Sequence, residues 1–90
     1  MKRVQSSRAF EKDSERLIRR KKDMEKLKSP IRSLVFEEKL DPIYRDHKLT
    51  GNYYSCRDCH VESDWLLIYK YDEETLSLVR TGTHAELFKK

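Results

Sequence analysis

Long apolar runs are largely missing from this 90-residue sequence. The longest is WLLIY at residues 65–69, far shorter than the roughly 20 residues that a membrane-spanning helix needs, so we expect no membrane partner. Residues 1–6 are followed by charged side chains rather than by an apolar stretch, so no secretory signal peptide is predicted. A cytoplasmic location is therefore the expectation.

Glycine, proline and cysteine are also scarce, with two of each. So few glycines and prolines argue against a low-complexity chain, and the cysteines are expected to be reduced because disulfides are rare in the cytoplasm. Charged residues make up 40% of the chain, but aromatic and aliphatic residues recur at regular intervals, so we expect it to fold. Residues 1–90 suffice for one domain, which on folding buries about 60–65% of the surface that the unfolded chain exposes to water.

Charge is unevenly spread along the chain, whose net charge is +4. Residues 1–40 contain 13 Lys or Arg and 7 Asp or Glu, whereas residues 41–90 contain 7 and 9. The basic half is also the half that we predict to be helical. A basic helical face suits RNA or an acidic protein partner, although a solvated helix surface carries charges of the same kind.

Two helices are predicted after a short extended start around Val4. Ser6 or Ser7 is the candidate N-cap of the first, whose core-facing residues are Phe10, Leu17 and Ile18. Asp23 is the candidate cap of the second, in which apolar side chains step by three and four: Met24, Leu27, Ile31, Leu34 and Val35. At Pro30 we expect a kink rather than a new helix that Ser29 would cap.

Strands are predicted in the second half, after a loop at residues 40–51. Aromatic and β-branched residues are dense in three segments separated by short polar turns, namely residues 53–61, 65–71 and 75–81. Three strands with short connections form an antiparallel meander. Two helices on one face of that sheet, with the first short strand added, give an α+β domain.

All three histidines lie in or beside these strands. His47 precedes the sheet, His60 comes late in its first strand, and His84 follows its last strand. Alternate residues share a face of a strand, so Asp58 and His60 point the same way, and Asp64 lies just past the turn. Metal-free RNA cleavage needs a base for the 2′-hydroxyl, an acid for the departing 5′-oxygen and positive charge. Imidazole can take either proton-transfer role at neutral pH.

Three ordered motifs resemble the YafQ branch of the RelE/ParE superfamily: DHKLTG at residues 46–51, RDCHVESDWLLIY at 57–69 and RTGTHAELF at 80–88. The likeness is close over residues 40–88, whereas residues 1–39 match only in their order of strand and helices. It implies a β-α-α-β-β-β fold, in which an antiparallel sheet carries two helices on one face. It also implies a toxin of a toxin–antitoxin system that cleaves messenger RNA on the ribosome.

The resemblance implies catalytic roles for His47, His60, Asp64 and His84, with Asp58 as a further acidic member. We expect His84 and a His60/Asp64 pair to flank the scissile phosphate, with His47 orienting or charging it. Which histidine is the acid and which the base stays open. No metal and no cofactor is implied.

The resemblance also implies a substrate-binding role for Phe88, which matches the family's C-terminal aromatic residue and would stack on a base or position the substrate. Three positions depart from the family pattern. Ser63 replaces a usual proline and loosens the turn that carries Asp64, while Tyr53 stands where tryptophan is usual. Tyr54 stands where lysine is common, so phosphate-facing charge is expected from Lys48, Arg57 or Arg80, although the two arginines could equally be structural.

The expected partners are messenger RNA on the ribosome, ribosomal RNA contacted by the basic helices of residues 1–40, and an acidic, partly disordered antitoxin that covers or distorts the histidine sheet when bound. Two alternatives lack catalysis. Some RelE/ParE relatives inhibit a protein target such as gyrase, and a purely structural partner-binding domain is a further interpretation. Neither of them needs a histidine cluster.

The string Cys56–Arg57–Asp58–Cys59–His60 has the form of a haem-attachment motif. On a strand, however, Cys56 and Cys59 face opposite sides and cannot both bond one haem or chelate one zinc ion. A thioredoxin-type pair needs a helix start, which this segment does not offer. We therefore expect two small buried cysteines.

Overall fold

The computed structural model describes residues 1–88. Eight helices and strands follow one another along these residues, in the order β1 (Arg3–Ser6), α1 (Arg8–Arg19), α2 (Met24–Val35), β2 (His47–Lys48), β3 (Arg57–Glu62), β4 (Trp65–Tyr71), β5 (Thr75–Gly82) and α3 (His84–Phe88). The α+β class and the order of the predicted elements are confirmed. The short elements β2 and α3 are additions that the sequence did not predict.

The sheet has five strands in the order β1-β5-β4-β3-β2. Strands β3, β4 and β5 form the predicted antiparallel meander, but β1 pairs with β5 in parallel, so the sheet is mixed rather than antiparallel throughout. No tight turn joins β1 to β5, because both helices intervene, and a long connection permits parallel pairing. The central strand β4 contains the apolar run of residues 65–69, which is buried on both faces of the sheet.

Side-chain caps start both long helices where the sequence places them. The hydroxyl of Ser7 accepts a hydrogen bond from the backbone N–H of Phe10, and the carboxylate of Asp23 accepts one from Glu25. Helix α2 passes through Pro30 without a fresh start at Ser29. One predicted core residue is wrong: Ile18 is exposed, because it lies about 100° around the helix from the buried Leu17.

Both faces of the sheet are covered. Helices α1 and α2 pack on one face, as predicted, where Phe10, Leu17, Leu27 and Leu34 meet Trp65, Leu67, Tyr69 and Leu76. On the other face α3 and the β2–β3 loop cover Leu66 and Ile68. Cys59 belongs to the helix side and Cys56 to the other side, so their predicted opposite orientation is confirmed. Burial raises the pKa of the Cys59 thiol to about 12.

The segment before β3 differs from the prediction. Strand β3 begins at Arg57 rather than at the predicted Tyr53, which instead ends a 3₁₀ turn, Gly51–Tyr53. Gly51 has a positive φ of +70°, which glycine adopts without steric cost. Within the predicted loop, β2 pairs with β3 so that His47 lies opposite Asp58. None of the helices in residues 1–88 is long and apolar enough to cross a membrane.

Candidate active site

Four aromatic rings form a row on the sheet face opposite α1 and α2. The ring centroid of His60 lies 6.4 Å from that of His47 and 5.5 Å from that of His84. The ring of Phe88 follows at 6.4 Å from His84. We call His47, His60, His84 and Phe88 the histidine row. The structure thus brings together residues that are up to 41 positions apart in the sequence.

Three separate elements place the histidines. His60 is on β3 opposite Leu66, which belongs to the face that α3 covers. His47 reaches the same face because β2 pairs with β3 at Asp58, and residues directly opposite in an antiparallel pair share a face. His84 is the first residue of α3, directly after the end of β5.

Asp58 lies beneath the row and is almost fully buried, with 3% of its surface exposed. Its Oδ1 lies 3.0 Å from Nδ1 of His47, in an ion-pair contact, but has no hydrogen-bond partner among residues 1–88. Burial raises the pKa of Asp58, and the charges of His47, His60 and His84 oppose that rise. The three histidines therefore help to stabilise the negative charge of the buried carboxylate.

His60 occupies the middle of the row. Burial lowers its pKa, Asp58 opposes this effect, and the positive charges of His84, Arg45 and His47 lower the pKa further. The imidazole of His60 is thus predominantly neutral at neutral pH and able to accept a proton.

His84 is fixed by Asp64, which accepts hydrogen bonds on Oδ1 from the His84 backbone N–H at 2.9 Å and from its Nδ1 at 2.6 Å. Because Nδ1 donates to the carboxylate, Nε2 remains for proton transfer. These hydrogen bonds hold the pKa of Asp64 below its usual range. The expected His60/Asp64 pair is therefore wrong: Asp64 is the partner of His84, because the turn after β3 lies beside the first residue of α3.

Helix α3 is held by a network that sequence reasoning missed. Thr83 and Glu86 form a capping box, in which each side chain accepts the other's backbone N–H at 3.1 and 3.0 Å. Glu86 also forms ion pairs at 2.9 Å with Arg16 and Arg20 of α1. The T-x-x-E spacing at residues 83–86 was the available signal for this helix.

Phe88, at the end of the row, contacts Tyr53 edge-to-face with ring centroids 5.9 Å apart. This contact joins α3 to the 3₁₀ turn before β3. Tyr53 therefore supports the ring for which the family resemblance implies a role in substrate binding.

The three predicted phosphate-binding cations lie differently. Lys48 pairs with Arg57 and so shares the sheet face opposite the histidines. Arg57 makes two hydrogen bonds to Asp46, at 3.2 and 3.0 Å. Arg80 makes two to the buried Asp13, at 2.6 and 3.0 Å. Both arginines are thus engaged by carboxylates of the fold, and none of the three cations belongs to the histidine row.

The solved structures that this chain resembles include a toxin-antitoxin complex and a metal-bound toxin. One is the E. coli DinJ-YafQ toxin-antitoxin complex, 42% identical with a TM-score of 0.90 over 97% of both chains. Another is a metal-bound toxin from Helicobacter pylori, 39% identical with a TM-score of 0.91 over 98% of this chain and 100% of that one. In the described part of this chain, no three His, Cys, Asp or Glu side chains are grouped to hold a metal ion.

The sequence comparisons agree with the structural ones. The chain is 43% identical over 86 residues to the mRNA interferase toxin YafQ of Escherichia coli K12, which covers 94% of both proteins. Residues 2–89 match the family described as the bacterial toxin of type II toxin-antitoxin system, YafQ. The chain therefore belongs to the YafQ toxin family.

Proposed function

We propose that this chain is the toxin of a toxin–antitoxin system and an endoribonuclease that cleaves messenger RNA. The observation that carries the proposal is the histidine row with its two carboxylates, Asp58 and Asp64, on one face of the sheet. The relative at 43% identity is an mRNA interferase. This supports the enzyme over the alternative of a non-catalytic toxin that inhibits a protein target such as gyrase.

The proposed reaction is attack of a ribose 2′-hydroxyl on the adjacent phosphorus. The 2′-oxygen–phosphorus bond forms, the bond to the 5′-oxygen breaks, and the products are a 2′,3′-cyclic phosphate and a 5′-hydroxyl. His60 takes the 2′-hydroxyl proton, since its lowered pKa keeps it neutral. His84 gives a proton to the departing 5′-oxygen through Nε2, while Asp64 fixes its ring.

His47 is proposed to stabilise and orient the phosphate. Its Nδ1 donates a hydrogen bond to the Arg45 carbonyl at 2.9 Å, so Nε2 remains for the substrate. The carboxylate of Asp58 lies 3.0 Å from Nδ1 of His47 and helps to hold this ring in place beneath the phosphate. Phe88 closes the row and offers a ring on which a base can stack.

We infer that cleavage occurs in the ribosomal A site, as the family resemblance implies. The basic helices α1 and α2 lie on the sheet face opposite the histidine row. They are therefore placed to contact ribosomal RNA while the other face holds the messenger RNA. An antitoxin is the proposed protein partner, since E. coli YafQ forms a complex with DinJ.

Cleavage of messenger RNA on programmed ribosomes tests the function. The wild-type chain is expected to cut, and His84→Gln is expected to cut about 10²- to 10⁴-fold more slowly, as loss of an acid or base does. Circular dichroism of both proteins controls for folding. Unchanged cleavage by His84→Gln would refute the assignment of the site, and absence of cleavage by the wild type would refute the function.

A further inference from the structure

None of the three cations that the sequence predicts for phosphate binding is free beside the histidine row. Arg57 and Arg80 are bound to Asp46 and Asp13, and Lys48 lies on the other face of the sheet. Each nucleotide that flanks the scissile phosphate brings one further negative charge on its own phosphate. Another residue must therefore supply positive charge if the RNA is to be held on both sides of the scissile bond.

Arg45 is placed to do so. It ends the 3₁₀ turn Pro42–Tyr44, and its backbone carbonyl accepts the hydrogen bond from Nδ1 of His47. The side chain is exposed, and among residues 1–88 no carboxylate is ion-paired with it. Its charge acts on His60, whose pKa it helps to lower. Arg45 is thus a cation next to the row that the fold itself leaves unused.

A cleft of about 600 Å³ lies beside Arg45. Ile43, Tyr44 and Arg45 line one side of it, and residues 60–63 line the other, so His60 borders both the cleft and the row. Glu62 is the acidic residue in this lining, and its carboxylate is already paired with Lys22 and Lys26 at 2.8 Å. The unpaired charge in the cleft is therefore positive.

The cleft also offers apolar surface for a base. Ile43 is 76% exposed, although it is a large aliphatic residue. The Tyr44 ring is half-buried, and its hydroxyl lies 3.4 Å from the Ser29 hydroxyl of α2. An apolar and aromatic wall next to a cation is the combination that holds a single-stranded nucleotide, because the base stacks and the phosphate pairs with the charge.

We propose that this cleft is a nucleotide-binding subsite for the RNA nucleotide next to the scissile phosphate. Arg45 binds the phosphate of that nucleotide, and Ile43 and Tyr44 contact its base. The subsite rests on the proposed function in that the same strand must reach His60. It adds to the histidine row a site that selects and positions the neighbouring nucleotide.

The test compares Arg45→Gln with Arg45→Lys and Arg3→Gln. The first two share the backbone conformation of residue 45, φ +50°, and differ in charge. Arg3 is an equally charged, 81% exposed side chain on β1, at the opposite edge of the sheet. The probe is a short 2′-O-methyl oligoribonucleotide, which cannot be cleaved, and its affinity is measured over a range of salt concentrations.

We expect Arg45→Gln to weaken binding about tenfold and to reduce the slope of log affinity against log salt by about 0.7, the value for one phosphate contact on a single strand. Arg45→Lys is expected to keep the slope, and Arg3→Gln to behave as the wild type. Ile43→Ser removes only an exposed apolar side chain, and we expect it to weaken binding without changing the slope.

Two results would overturn the subsite. One is an unchanged affinity and slope for Arg45→Gln, and the other is the absence of any binding of the probe by the wild type at low salt. Cleavage of messenger RNA by the wild type in parallel separates this failure from failure of the proposed function. If the wild type cleaves and Arg45→Gln matches it in every measurement, the subsite is wrong and the function stands.

Discussion

At the scale of single residues, the three histidines differ in what holds each ring. His47 is held by the Arg45 carbonyl and lies against Asp58, and His84 is held by Asp64. The His60 ring makes no hydrogen bond to any of residues 1–88. It is therefore the histidine whose two nitrogens are both available to the substrate, in agreement with its proposed role as the base.

Asp64→Asn tests how much the carboxylate adds to the action of His84. Asparagine keeps an oxygen that accepts the bonds from His84 but removes the negative charge, so we expect the rate to fall about tenfold, less than for His84→Gln. Single-turnover cleavage on ribosomes measures both. A loss in Asp64→Asn as large as that in His84→Gln would mean that Asp64 does more than fix the ring.

The pH dependence of cleavage tests His60 as the base. Because its pKa is lowered, it becomes protonated only below its ordinary value near 6.5, so activity should fall through a midpoint below 6.5 as the pH decreases. Asp58 raises the pKa of His60, so Asp58→Asn should move this midpoint to still lower pH. A midpoint that moves upward in Asp58→Asn would contradict the assignment.

Alternation along a strand explains which residues of the site could be predicted. It correctly put Asp58 and His60 on one face, and the same rule applied to Arg57 would have placed that cation on the other face. The bond from Asp64 to His84 could not be predicted this way. It joins a turn to a helix start 20 residues later, and only the tertiary fold brings them together.

At the scale of elements, α3 has five residues and is too short to be stable alone. Its capping box, the Glu86 ion pairs to α1 and the burial of Leu87 hold it on the sheet. The position of His84 and Phe88 therefore depends on α1, although α1 packs on the opposite face of the sheet. The first helix was predicted from the sequence, but the support that its arginines give to the site through Glu86 was not.

Gly82→Ala tests this support. Gly82 has φ +154°, and a Cβ there would lie 2.9 Å from Oε1 of Glu86. We expect lower stability by about 1–3 kcal/mol from the backbone alone, and slower cleavage because Glu86 and α3 must shift. Gly51→Ala is the matched control, since its φ is +70° but no atom lies within 4 Å of the added carbon. Equal activity losses in the two variants would contradict the role of Glu86.

Asp13 connects α1 to β5. It is buried and accepts hydrogen bonds from Arg80, from Arg16 and from the Thr81 backbone N–H. Burial tends to raise its pKa, but these bonds outweigh that effect and lower it. A lowered folded-state pKa stabilises the protein above the unfolded-state value near 3.8, and this stabilisation is lost as the pH falls through the folded-state value.

We expect Asp13→Asn to reduce the free energy of unfolding by about 3–5 kcal/mol at neutral pH, because Arg16 and Arg80 lose the negative charge of their buried partner. The difference from the wild type should shrink as the pH falls below about 4. Urea unfolding at several pH values measures it, with the exposed Glu15→Gln on the same helix as the control. A small, pH-independent loss would contradict the proposed contribution of Asp13.

At the scale of the whole molecule, the sheet separates two surfaces. The basic helices cover one face and the histidine row lies on the other. Hydrophobic periodicity predicted the helices, and the density of aromatic and β-branched residues predicted the meander, whose central strand β4 is buried on both faces. It did not predict the parallel pairing of β1 or the two-residue β2, since the sequence signal for such short edge pairings is weak and their register depends on the assembled sheet.

The central claim is that the histidine row cleaves RNA by acid–base transfer without a metal, and the ends of the cleaved RNA test it most directly. Messenger RNA cut on ribosomes is predicted to carry a 2′,3′-cyclic phosphate upstream and a 5′-hydroxyl downstream. Mass spectrometry of the fragments distinguishes these ends from others. A 5′-phosphate on the downstream fragment would contradict the account.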